Sequence, residues 1–132
     1  MKIFIDTNIF LDLILKRENY KEALILFNAI EQELFEGVIL DSTILNIDYI
    51  AKKQIKDIRE FLSLVNKTFV VVGATNFEIK EALKLENRDL EDNLQYIMAK
   101  KSDCKMIISN DKNFLQKELQ VISSKEFVNE YL

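Results

Sequence analysis

Three aspartates, Asp6, Asp92 and Asp111, hold the chemistry this sequence can offer. Asp6 ends the apolar run Ile3-Phe4-Ile5, and Asp111 closes Lys105-Met106-Ile107-Ile108-Ser109-Asn110-Asp111. Ligands of open α/β sheets gather at the carboxyl ends of the strands, so both acids are well placed. Asp92 lies in Arg88-Asp89-Leu90-Glu91-Asp92-Asn93, where a predicted helix opens before the second of these strands. If the two strands are neighbours at the sheet's switch point, the three acids overlook one crevice. Carboxylates forced together repel one another, and a divalent cation relieves the repulsion. A cation so held lowers the pKa of a bound water and stabilises charge on a transferring phosphate.

Each acid also has a plainer reading. Asp6 can cap the next helix. Asp89, Glu91 and Asp92 can complement the macrodipole of theirs. Asp111 can be a turn former in Ser109-Asn110-Asp111-Lys112-Asn113. Only their convergence favours the metal site over three separate structural roles.

The rest of the composition narrows the chemistry by exclusion. With no histidine, imidazole bases and the usual nitrogen ligands of zinc are absent. One cysteine, Cys104, cannot build an intrachain disulfide or a thiolate cluster, and reads as a small hydrophobe late in a helix. Two glycines, Gly37 and Gly73, cannot write a P-loop or a dinucleotide fingerprint. Carboxylates and amides remain, the ligands of Mg²⁺ and Mn²⁺. A formal net charge of −4 argues against nucleic-acid binding by bulk electrostatics, though not against a nucleic-acid enzyme with a local basic rim. No apolar stretch approaches the roughly 20 residues that span a bilayer. Asp6 and Asp12 interrupt the first apolar segment, and no small-residue cleavage site follows. A cytoplasmic protein without a membrane partner is expected.

Positioning these acids falls to short strands and long helices. The pattern predicts strand 2–5, helix 8–15, helix 20–35, strand 37–40, helix 42–53, helix 55–66 and strand 68–72. It continues with helix 76–86, helix 91–102, strand 105–108, a short helix near 112–117, strand 120–122 and helix 124–131. The strands are brief and rich in Val, Ile and Phe, as strands buried on both faces of a parallel sheet are. Thr75 with Glu78, and Ser123 with Glu126, have capping-box spacing. Alternating strands and helices imply βαβ crossovers and one three-layer α/β/α sandwich over residues 1–132. Lys52, Lys56 and Arg59 recur at helical spacing, as phosphate contacts or as a solvated face, with a break near Gln54. Leu24, Phe27, Ile30 and Leu34 build core or a dimer contact.

Ile5-Asp6-Thr7-Asn8, Asp89-Leu90-Glu91-Asp92 and Ile107-Ile108-Ser109-Asn110-Asp111-Lys112-Asn113-Phe114 resemble the PIN-domain family. This is the fold of VapC-type toxin ribonucleases and related RNA nucleases. The resemblance covers nearly the whole chain. It implies a parallel sheet of order 3-2-1-4-5, a Mg²⁺- or Mn²⁺-dependent activity on RNA, a homodimer and, for a toxin, a cognate antitoxin. Asp6, Asp92 and Asp111 would be the catalytic metal-site acids. Ser109 would orient a ligand or phosphate, Thr7 and Asn8 would line the pocket floor, and Asp89 would join the pocket.

One position departs from the family. Its second acid is usually a Glu in the helix after strand two, and aligning Gly37-Val38-Ile39-Leu40 as that strand puts Asn46 there. Asp48 is no substitute, because two helical residues turn the side chain by about 200°. Asp41, at the strand's end, is the better compensating acid. The implied function is therefore a metal-dependent ribonuclease, the toxin of a toxin–antitoxin pair. The alternative is a non-catalytic PIN-like protein that binds RNA or a partner through a degraded site. A haloacid-dehalogenase phosphatase would need an Asp where Asn8 stands, and a receiver domain would need one at the end of Val70-Val71-Val72-Gly73.

Overall fold

The computed structural model describes residues 1–132. Strands β1 (Lys2–Ile5), β2 (Glu36–Leu40), β3 (Val70–Val72), β4 (Met106–Ile108) and β5 (Gln120–Ile122) form one sheet. All pairings are parallel and the order is β3-β2-β1-β4-β5, the order implied by the family resemblance. The chain leaves β1 towards β2 on one side and returns to pair β4 on the other, so the switch point lies at β1. Ile3 pairs in register with Gly37 and with Met106, which aligns the carboxyl ends of β1 and β4.

Helices α1 (Thr7–Ile14) and α2 (Tyr20–Glu31) cross from β1 to β2, and α3 (Asp41–Ala51) and α4 (Ile58–Thr68) from β2 to β3. Helices α5 (Asn76–Lys84) and α6 (Leu90–Lys101) lead from β3 to β4, and α7 (Ser124–Tyr131) follows β5. The strands read as continuous apolar runs because both faces are covered, yet alternate residues serve different layers. Ile3, Ile5, Ile39, Met106 and Ile108 join the core beneath α1, α2, α3, α4 and α7. Phe4, Val38, Leu40 and Ile107 turn to the other face and pack with Tyr96, Met98 and Ala99 of α6. Gly37 is obligatory for packing, since a Cβ there would stand 2.6 Å from the Phe69 ring, which itself lies edge-on to Phe10.

Helix ends differ most from the sequence expectation. Helix 20–35 stops at Glu31, because Glu33 takes a positive φ of 62° and closes a Schellman motif. Its signature is the pair of bonds from Glu33 N to Ile30 O and from Leu34 N to Ala29 O. Asp103, at φ 59°, ends α6 in the same way, and Cys104 therefore lies just past the helix, buried against Ala99. No helix forms over 112–117. Asn113 N–H bonds the Asp111 side chain and Phe114 N–H its carbonyl, a local turn that competes with a helical nucleus. Lys52, Lys56 and Arg59 share no helix, since α3 ends at Ala51 and α4 begins at Ile58. Phe27 and Ile30 of α2 are core, while Leu24 of α2 and Leu34, past its end, are exposed. Both capping boxes form as the spacing predicts. No helix is long and apolar enough to cross a membrane.

Candidate metal centre

Asp6 sits where β1 gives way to α1, and it is only 1% exposed. Its backbone N–H extends the β1/β4 ladder to Ile108 O at 3.0 Å. The residue occupies the N-cap position of α1, but its side chain caps nothing. Instead Oδ1 accepts from Gln95 Nε2 at 3.0 Å and Oδ2 from Ser109 Oγ at 2.8 Å. Burial raises its pKa, and the bonds from Gln95 and Ser109 partly oppose that rise.

Asp89, Asp92 and Asp111 form the tightest acidic group. One oxygen from each lies within 4.8 Å of the others. Asp89 is the N-cap of α6 and accepts the Asp92 N–H at 3.1 Å, which fixes the first turn. That turn buries Asp92 to 4% exposure, and its Oδ2 has no hydrogen-bond partner. Burial, then contact with the Asp111 carboxyl, then the charges of Asp6, Asp89 and Asp111 push the Asp92 carboxyl up to about 8. Asp111 does form the turn anticipated for it, accepting Asn113 N–H at 2.8 Å, while its own N–H donates to Ser109 Oγ at 3.1 Å. A turn role and a pocket role coexist in this residue.

The donor set suits a hard divalent cation. Mg²⁺ takes oxygens at about 2.0–2.1 Å in near-octahedral geometry, so ligand oxygens lie roughly 3–4 Å apart. An acceptor buried without a donor, at Asp92 Oδ2, is what such an ion would satisfy. The three acids, with Asn87, Arg88 and Asn113, line an open cleft of about 490 Å³. Asp111 also lines a second cleft of about 530 Å³ that holds Lys112 and Lys125. The acidic group therefore stands between two openings, each with a cation at its wall.

Thr7 opens α1, and Asn46 lies on α3. Thr7 is buried and its hydroxyl lies 2.8 Å from that of Thr43. Asn46 Nδ2 donates to Glu91 Oε2, linking α3 to α6. Asn8 is exposed and no part of a floor, because successive helical residues point about 100° apart and Thr7 already faces inward. Asp41 turns its carboxylate towards Gly73, beyond β3, and does not meet Asn46.

Gln95 and Thr43 have no role in the sequence reading, and Glu91 has only that of an acid in a helix's first turn. Gln95 is fully buried, and its Oε1 has no partner. Its spacing from Glu91 and Asp92, four and three residues, puts all three on one helix face. That polar spacing in a helix expected to cover a sheet was the available signal.

A family model described as PIN domain matches residues 2–113. Ribonuclease VapC1 of Aquifex aeolicus (strain VF5) is 29% identical over 137 residues, covering 96% of this chain and 92% of that protein. A toxin–antitoxin complex from Klebsiella pneumoniae contains a chain of TM-score 0.68 and 21% identity, covering 92% of this chain and 97% of that one. VapC20 of Mycobacterium tuberculosis, a sarcin–ricin loop cleaving toxin, superposes with TM-score 0.69 at 12% identity, covering 85% of this chain and 92% of its own.

Proposed function

The chain belongs to the PIN-domain family, and on that premise we propose that it is a divalent-metal-dependent ribonuclease, the toxin of a toxin–antitoxin pair. The observation that carries the reading is the buried, unpartnered Asp92 Oδ2 within the group Asp89, Asp92 and Asp111. Folding alone gives no reason to bury such an oxygen without a donor. The likeness to ribonuclease VapC1 supports the choice of RNA as substrate.

Asp92 and Asp111 would hold Mg²⁺ or Mn²⁺, with Asp89 beside them and Asp6 adjoining. When bound, the cation supplies a Lewis acid for the phosphoryl oxygens of the substrate. Ser109 keeps Asp6 and the Asp111 backbone in one register through its two hydrogen bonds. Arg88 in one cleft and Lys112 and Lys125 in the other provide charge for the phosphates on either side of the scissile one. The reading includes residues 1–132 as one domain, a cytoplasmic location, and an antitoxin and a second copy of the chain as partners. Exposed Leu45 and Tyr49 on α3 and Phe77 and Leu83 on α5 offer apolar surface for such partners.

Asn46 favours a second reading, in which the pocket binds RNA without cutting it. One experiment separates the two. Purified protein is incubated with single-stranded and stem-loop RNA in Mn²⁺, in Mg²⁺ and in chelator, alongside Asp92→Asn. Cleavage that needs metal and is lost in the variant is the expected result. RNA retained on the protein but intact under every metal condition would establish the binding reading instead.

A further inference from the structure

Helix α3 carries an amide beside the acidic group, and that amide is spent on a carboxylate of α6. Thr43 meets Thr7 at the start of α1, and Asn46, three residues on and on the same helix face, donates to Glu91 Oε2. Glu91 in turn stands one residue before Asp92 and four before Gln95, whose Nε2 holds Asp6. Glu91 is half-buried, close enough to Asp6 and Asp89 to feel both charges, and no lysine or arginine pairs with it. A glutamate kept only for the helix macrodipole would stay in solvent. This one is turned inward and tethered.

We propose that Glu91 supplies the pocket carboxylate that α3 lacks and joins the acids that hold the divalent cation, with Asn46 as its positioning residue. A second observation besides the acids points to a ligand. Asp92 Oδ2 and Gln95 Oε1, on the same stretch of α6, are both buried acceptors without a donor. Glu91 stands near enough to Asp6 and Asp89 to feel both, so its carboxylate would add negative charge beside them, and affinity for hard cations follows ligand charge. On this account the substitution at Asn46 relocates an acid from α3 to α6 and leaves the charge of the site intact. The inference rests on the metal-site reading above.

Calorimetric titration of Mn²⁺ into the full chain tests it, with melting curves in chelator as the control for folding. Glu91→Gln keeps an oxygen that can accept from Asn46, so a merely structural role would survive it. We expect Mn²⁺ affinity to fall by about tenfold or more. Asn46→Ala should give a smaller loss, because Glu91 remains but is no longer held. The exchanged pair Asn46→Glu/Glu91→Gln moves the carboxylate to the other wall and keeps an amide opposite it. It should bind Mn²⁺ more tightly than Glu91→Gln alone. If wild type binds Mn²⁺, Asp92→Asn does not, and Glu91→Gln matches wild type, Glu91 is no ligand and only this inference falls. If wild type itself binds no Mn²⁺, the metal-site reading falls and takes this inference with it.

Discussion

Ser109 Oγ donates to Asp6 Oδ2 at 2.8 Å, and the same hydroxyl accepts the Asp111 N–H at 3.1 Å. One small side chain at the end of β4 thus fixes an acid from β1 and the backbone of another. A hydroxyl both donates and accepts well at a single atom, which suits a serine at this position.

Ser109→Ala should therefore weaken two acids at once. Asp6 would keep Gln95 as its remaining side-chain donor, and a buried polar group left without a partner costs about 1–3 kcal/mol. Thermal unfolding should register that loss. Metal affinity should drop by roughly tenfold to a hundredfold, as when other outer partners of metal ligands are removed. A variant with wild-type melting and wild-type Mn²⁺ affinity would show the hydroxyl to be dispensable.

Asp6→Asn should separate stability from activity. The buried carboxylate gives up a charge that burial opposes, and the Gln95 amide can turn to offer its unpartnered Oε1 to the new side-chain NH₂. We expect a melting temperature equal to wild type or higher, with RNA cleavage abolished. Equal cleavage by both proteins would trace the activity to a contaminating nuclease.

The pH dependence of the metal-free protein follows from Asp92. Its carboxyl, ordinarily near 3.8, is pushed up to about 8 by burial, by contact with Asp111 and by neighbouring charge. An acid whose folded pKa is raised favours the protonated fold, so its stabilisation is complete below 3.8 and lost as pH rises through about 8. In chelator the protein should melt at a lower temperature at about pH 8.5 than at about pH 5, because most of the span from 3.8 to about 8 lies between those two values. Asp92→Asn should flatten the slope. A wild-type slope that persists in the variant would assign the effect to another group.

Glu78 sets the opposite limb. It accepts from Thr75 in the capping box of α5 and from Lys101 Nζ of α6 at 2.9 Å, and these bonds lower its pKa from 4.5 to about 2. A depressed carboxylate stabilises the fold above 4.5, and that contribution fades as pH falls through about 2. Glu78→Gln should lower the melting temperature at pH 7 and shrink the further loss on acidification. Unchanged melting at pH 7 and an unchanged loss on acidification would mean that the capping box and its lysine add nothing.

The two ends of the site were not equally legible. Ile3-Phe4-Ile5-Asp6 and the run from Lys105 to Asp111 are contiguous in sequence, so each strand and its acid could be read together. The pairing of β1 with β4 then brought Asp6 and Ser109 into contact. Helix ends were obscured because Lys16, Glu33 and Asp103 adopt the positive φ that glycine or asparagine usually marks. Glu91 reads in sequence as one more acid in a helix's first turn. Its partner Asn46 lies 45 residues away, and no local pattern announces that bond.

Asn46→Glu alone puts the largest strain on this picture. The new carboxylate would face Glu91 where an amide now donates to it, so a hydrogen bond becomes a repulsion. In chelator the variant should melt below wild type. With Mn²⁺ present the order should reverse, because an added carboxylate in the crevice tightens a hard cation and tighter binding stabilises the fold. The two halves come from different states of one protein, so a general packing defect cannot imitate them; it would lower melting with and without metal. If neither melting temperature nor Mn²⁺ affinity moves, the side chain at position 46 does not face the pocket, and the contact between Asn46 and Glu91 has no bearing on the site.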